Sequence, residues 1–215
     1  MPTKPGILPS VRKGAGNPRN LKPALCTSLL PLTTQGGVST IYLPDKNLSV
    51  SIRTLSVARD LPVMYNWMSQ EYAGYLVERS NPPAELAESY ACTLKSVNAQ
   101  PFMGLVNDLP ICQVDVYKVR EDAISLCYKA RPGDYGLNIL LAPLVIQDHV
   151  LLLMRMWLDY FFSFPEVKRI VVDIEAGNEW LESLFRRAGF RFTEKVRLPY
   201  KEANLYACGR DSVMI

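Results

Sequence analysis

The chain has 215 residues, 48% of them apolar and 21% charged, which is enough to bury a core and too apolar for a disordered or collagen-like polymer. Its net charge of +3 comes from residues 1–44, which hold Lys4, Arg12, Lys13, Arg19 and Lys22 and no acid. The 19 bases and 21 acids that remain give residues 45–215 a charge of −2, which speaks against a basic nucleic-acid-binding domain.

Residues 1–44 are read as a Pro-rich basic arm, extended or flexible, and 45–215 as one folded domain. The arm's first stretch carries Pro2, Pro5, Pro9, Pro18, Pro23 and Pro31 and too little apolar surface to offset its ordering entropy. Alternation of apolar and polar residues begins near Val38, and Leu48–Leu55 reads as a strand. Asp60 fits the N-cap of a helix running through Met64, Trp67 and Met68, with Pro62 in its first turn. A second helix over Pro83–Val97 follows from Leu86, Tyr90 and Leu94 at helical spacing. Phe102–Val106 and Ile111–Val119 are expected to form a hairpin turning at Asn107-Asp108. Ala123–Lys129 and Leu137–Ala142 read as further strands.

Val150–Phe164 is a strongly apolar helix closed by Pro165, and Arg169–Ile174 a buried strand. Asn178 caps a helix with Trp180, Leu181, Leu184 and Phe185 on one side, ended by Gly189. Phe190–Val196 and Ala203–Cys208 are the last strands. The order is that of an α+β (mixed α/β) fold, a twisted mixed sheet of about seven strands flanked by about four helices. Cys26, Cys92, Cys112, Cys127 and Cys208 are odd in number, widely spaced and without a CxxC pair, which fits reduced thiols and no metal site. No run reaches the ~20 apolar residues that span a bilayer. A cytoplasmic protein, monomer or homodimer, with no nucleic-acid or membrane partner is expected.

The buried strand, Asn-capped helix and Ala188-Gly189-Phe190 turn resemble the layout of the GNAT N-acetyltransferase superfamily. A closer similarity is to siderophore-biosynthesis acyltransferases, which acylate N-hydroxylysine or the lysine chain of mycobactin. It rests on Trp67-Met68, on Pro101, Gly104, Pro110, Asp115, Tyr117 and Glu121-Asp122, and on Asp134, Gly136, Asn138 and Leu140. Glu175, Asn178, Gly189-Phe190, Pro199, Lys201, Ala203, Leu205 and Arg210 match the tail of the pattern, so that residues 50–210 are covered.

The resemblance implies an acyl-CoA-dependent N-acyltransferase with acetyl-CoA or another acyl-CoA as co-substrate, no metal, and a small amine or N-hydroxylamine acceptor. Splayed strands at Leu137–Ala142 and Ile170–Ile174 would grip the pantetheine arm, with an amide among Leu140, Leu141 and Ala142 as oxyanion donor. Asp134 would be the general base and Asn138 a polar substrate contact. Gln147, His149 and Val150 would lie at the phosphates, together with Asn178. Tyr72, Tyr75, Asp115, Tyr117 and Lys201 would line the acceptor side. Taken alone, Pro132-Gly133-Asp134 also reads as a plain turn.

The chain departs from the pattern at four places. Ser96–Gln100 lacks the family's catalytic histidine. Asn138 replaces another histidine. Gln147–Leu152 keeps the glutamine of the phosphate loop without its glycines, and Phe185 stands where many relatives keep a tyrosine. These losses leave two alternatives open, a relative acting on an aminoglycoside or polyamine, and a weakly active domain serving as a binding module.

Overall fold

The computed structural model describes residues 37–69, 82–198 and 201–212. An eight-stranded sheet runs through it. Its strands are β1 (Gly37–Leu43), β2 (Leu48–Thr54), β3 (Ala99–Val106), β4 (Leu109–Lys118), β5 (Asp134–Leu141), β6 (Arg169–Glu175), β7 (Arg191–Arg197) and β8 (Glu202–Gly209). They lie in the order β1-β2-β3-β4-β5-β6-β8-β7. Every pairing is antiparallel except β5 with β6, which is parallel. A parallel pair needs a crossover, and the apolar helix supplies it.

Among the described residues four α-helices cover the two faces: α1 (Val57–Met68), α2 (Pro83–Leu94), α3 (Gln147–Phe162) and α4 (Glu179–Arg187). Leu151, Met154, Trp157, Leu158 and Phe161 of α3, with Leu184 and Phe185 of α4, pack against Ile52, Phe102, Val114, Leu137 and Val172 of the sheet. The opposite face holds Met64, Trp67, Leu86 and Tyr90 of α1 and α2 over Met103, Leu105 and Leu140. Period-two alternation in each strand divides the two cores. Gly104 is required on the α3 side, because a Cβ there would lie 2.7 Å from the Trp157 ring and 2.9 Å from Leu153.

Four expectations are corrected. Gly37–Leu43 falls within the segment assigned to the arm, yet it pairs with β2 as the edge strand. Asp60 is not an N-cap; it sits inside α1, fully buried. From there it accepts two 2.6 Å hydrogen bonds from Arg53 and one of 2.7 Å from the Ser56 amide. Burial pulls this carboxyl up, but the guanidinium and the amide outweigh burial and hold it below the usual range.

Ala123–Leu126 is a 3-10 turn rather than a strand, with the Asp122 side chain accepting from the Ile124 amide at 3.0 Å. Ile124 and Tyr128 are buried in the core while Leu126 between them is exposed, whereas a strand would place all three on one face. Finally α3 starts at Gln147, three residues before the expected Val150. The Asn107-Asp108 hairpin is as expected, both residues having positive φ, 47° and 63°.

Candidate functional site

β5 and β6 share a ladder of only three pairs, Asp134–Arg169, Tyr135–Ile170 and Gly136–Val171. Beyond these β5 runs on to Leu141 and β6 to Glu175 without pairing, so the two strands part. The outer sides of both remain held, β5 by β4 through Leu141 and β6 by β8 through Glu175. The result is a wedge-shaped gap in mid-sheet, with its vertex at Gly136 and Val171. The Ala142 amide donates to the Ile111 carbonyl at 2.9 Å. Antiparallel alternation therefore turns the backbone of Leu140 and Asn138 toward β4 and that of Ile139 toward the gap.

On the face shared with α1 and α2, Asn138 of β5 and Asp173 of β6 flank the gap, and Asp115 of β4 stands one strand behind its cross-strand partner Asn138. Asp115 accepts from Gln113 Nε2 at 2.7 Å, and Gln113 lies 3.4 Å from the Tyr90 hydroxyl. Tyr117 folds its ring over Gly136, so closely that a Cβ on Gly136 would lie 2.2 Å from the ring carbons. Asp173 holds Lys201 Nζ at 2.6 Å. Asp122 stands close by, its carboxyl pushed up to about 6 by burial and by the charge of Asp173.

The residues expected at the site do not all gather there. Asp134 lies at the closed end of the wedge, beneath the vertex. It is buried and accepts from Arg169 Nε at 3.0 Å, Arg169 Nη2 at 2.9 Å, the Tyr128 hydroxyl at 2.9 Å and the Arg131 amide at 2.8 Å. Arg169 also donates to the Tyr128 hydroxyl. Both oxygens of this carboxylate are thus engaged at the closed end of the wedge, where they tie β5 to β6. Leu140 and Ala142 have amides on the β4 side, so of the three expected oxyanion donors Leu141 is the one whose amide turns to the gap side, as that of Ile139 does.

At the start of α3, Gln147 Oε1 accepts from Arg187 at 2.8 Å, and Asp148 forms a 2.7 Å ion pair with the same arginine. That hydrogen bond holds the Asp148 carboxyl below its usual range. Val150 is fully buried in the core, so its side chain meets no ligand. His149 is half-buried, its amide donating to Ile146 at 3.0 Å. Asn178 caps α4, its Oδ1 accepting from the Leu181 amide at 3.1 Å. Phe185 packs edge-on against Phe190 in the core. Leu144, before α3, takes a positive φ of 57° and is fully exposed. Tyr72 and Tyr75 lie outside the described residues.

Gln113, Asp173, Tyr128, Arg169 and Arg187 escaped the sequence reading. For Asp173 a signal existed: one acid within the apolar run Ile170–Ile174 is costly to bury unless it is paired or used. Among the described residues no group of three or more His, Cys, Asp or Glu could hold a metal ion. Among them, too, no helix is long and apolar enough to cross a membrane.

A family model described as an acetyltransferase (GNAT) domain matches residues 56–198. The chain is 24% identical over 185 residues to an N(6)-hydroxylysine O-acetyltransferase of Escherichia coli, covering 84% of this chain and 58% of that one. It thus spans little over half the length of that relative. An N-hydroxyputrescine acetyltransferase of Acinetobacter baumannii is 22% identical over 168 residues, 78% of this chain and 81% of the relative. Among solved structures, an aminoglycoside acetyltransferase in complex with paromomycin and acetyl-CoA superposes with a TM-score of 0.66. The identity is 21%, over 76% of this chain and 94% of that one.

Proposed function

Because this chain belongs to the GNAT acetyltransferase family, we propose that it transfers an acetyl or other acyl group from an acyl-CoA to an amine or N-hydroxylamine of a lysine- or ornithine-like acceptor. The step would serve hydroxamate siderophore assembly, the role the resemblance of residues 50–210 implies, and the acceptors of the two relatives, N(6)-hydroxylysine and N-hydroxyputrescine, support an N-hydroxylated amine. The observation that carries this reading is the gap between β5 and β6, which opens backbone groups to an extended polar chain in mid-sheet.

The gap fits the amide-bearing pantetheine arm of an acyl-CoA, which would lie along Leu137–Leu141 as a strand-like guest. The Ile139 amide faces it and would donate to the thioester carbonyl oxygen as negative charge develops there. The phosphates would approach the N-terminus of α3, whose dipole favours anions, with Arg187 nearby. The fit is poorer there, because Asp148 is an anion itself and already engages Arg187.

The acceptor nitrogen attacks the carbonyl carbon, the C–S bond breaks, and CoA leaves as its thiol. The nitrogen must shed a proton as it attacks. Asp115 takes over this role from Asp134, since it is half-buried beside Asn138, one strand from the gap, and is oriented by Gln113. Asn138 beside it would hold the acceptor. The three carboxylates Asp115, Asp122 and Asp173 on this face favour a cationic acceptor, and this supports a second reading in which a polyamine or aminoglycoside is acylated.

Thiol release from acetyl-CoA tests the proposal, with N-hydroxylysine, N-hydroxyornithine, putrescine and an aminoglycoside offered in turn. Release with the N-hydroxylated amines above all others supports it. No release with any amine, and no thermal shift with acetyl-CoA, overturns it.

A further inference from the structure

The ion pair between Lys201 and Asp173 lies beside the gap, where the wedge faces the acceptor. Extending the β5–β6 register past Gly136–Val171 sets Asp173 across the gap from Asn138, the neighbour of Asp115. Asp173 shares its face of β6 with Val171, which packs in the cluster of Tyr117 and Leu205. Lys201 precedes β8 and reaches back along this same face to the carboxylate, at 2.6 Å. Its side chain retains 28% of its exposure, while that of Asp173 retains 7%. A primary ammonium on an alkyl chain thus fills a nearly closed carboxylate subsite that opens toward the acceptor side. The protein's own side chain shows which chemistry this subsite accepts.

We propose that Asp173 is the anchor for a second, cationic group of the acceptor, and that Lys201 is an internal occupant which the acceptor's ammonium displaces. The acceptor is then a diamine or diamino acid: one nitrogen, uncharged, attacks the thioester near Asp115 and Asn138, and the other stays protonated at Asp173. Asp115 and Asp173 stand on strands two apart, roughly 10 Å or more in a sheet, a span suited to an alkyl chain of about four or five carbons between the two side chains. Asp122, whose carboxyl burial has raised, adds a second acid beside Asp173. A tethered competitor acts at an effective concentration of roughly millimolar, so Lys201 sets a threshold that a monoamine gains nothing by crossing. This inference rests on the acyl-transfer reading above.

Two measurements test it on the full chain. In steady-state thiol release with acetyl-CoA, cadaverine and pentylamine are compared as diamine and monoamine of equal length. Asp173→Asn is expected to lower the diamine-over-monoamine ratio of kcat/KM by about tenfold, the loss of one charge-assisted bond. Lys201→Met should lower the KM for cadaverine by about three- to tenfold, and Lys201→Arg should restore the wild-type value. Isothermal titration with cadaverine reads the same subsite without turnover: Lys201→Met binds more tightly than wild type, and Asp173→Asn more weakly. An unchanged ratio in Asp173→Asn, or cadaverine binding no tighter in Lys201→Met, overturns the proposal. A wild-type chain that binds cadaverine in an Asp173-dependent way but releases no thiol with any amine would overturn the acyl-transfer reading instead. The double variant Asp173→Asn/Lys201→Met leaves no unpaired charge and should bind like Asp173→Asn; binding like Lys201→Met would place the subsite elsewhere.

Discussion

Asp134 and Arg169 are the first pair of the β5–β6 ladder, and their side chains lock across it through two hydrogen bonds, of 3.0 and 2.9 Å. Two residues further on the strands separate. The lock thus pins the two strands at the closed end of the wedge. Tyr128 and the Arg131 amide complete the shell around the carboxylate.

Asp134→Asn should therefore act on stability. Removing one partner of a largely buried pair leaves the other charge stranded, and a loss of about 2–4 kcal/mol is expected, somewhat under the fully buried cost because Arg169 keeps some solvent. Urea unfolding measures it. If stability is unchanged while turnover falls a hundredfold, Asp134 is the base after all.

Asp115→Asn is the complementary test. Loss of a general base costs about 10²–10⁴-fold in kcat, and acetyl-CoA binding, followed by thermal shift, should be retained. A kcat within threefold of wild type would remove Asp115 from the proton transfer.

Gly136→Ala would push a methyl group into the Tyr117 ring, which a Cβ would meet at 2.2 Å. Overpacking of this kind costs about 1–3 kcal/mol. Tyr117→Ala in the same chain should recover part of the loss, because the two changes act on one contact. Strict additivity in denaturant titrations would show that the strain lies elsewhere.

Asp122 gives a pH dependence. Its carboxyl is pushed up to about 6 by burial, and then by Asp173, despite the opposing hydrogen bond from the Ile124 amide. The folded chain therefore binds a proton more tightly than the unfolded chain, and this contribution is largest below the ordinary carboxylate range and fades as pH rises toward 6. Asp122→Asn keeps the cap acceptor without the charge. Relative to wild type it should gain stability at pH 7 compared with pH 4, by roughly 1–2 kcal/mol for a group still half-exposed. A wild-type-minus-variant difference that stays flat between those pH values would contradict this.

Asp148→Asn removes an anion from the first turn of α3 and frees Arg187 from its 2.7 Å pair. A drop of about two- to fivefold in the KM for acetyl-CoA is expected, and its salt dependence should steepen. An unchanged KM at low salt would mean that the phosphates pass elsewhere.

Much of the fold was legible in the residues. Alternating or continuously apolar runs marked seven of the eight strands, and the Leu- and Met-rich stretch marked α3, because those patterns report burial on one face or on both. The resemblance carried by residues 50–210 brought the correct superfamily, and Asp115, Tyr117 and Asn138, which it singled out, share the sheet face covered by α1 and α2. Ala123–Lys129 misled, since its apolar spacing also suits a 3-10 turn once Asp122 caps it.

What the sequence alone determined, then, was most of the order of elements, the uneven distribution of charge along the chain, and the family. How each acid is placed in the sheet was decided by tertiary structure. Asp134 and Asp115 are both acids on sheet strands, and nothing in composition or spacing tells them apart. One is closed off by an arginine that arrives from 35 residues away, while the other lies one strand from a gap that exists only because two strands stop pairing. The same holds for Lys201 and Asp173, which only the approach of β8 to β6 brings together. Partners distant in sequence set a carboxylate's solvation and charge, so its role could be read only once the sheet had assembled.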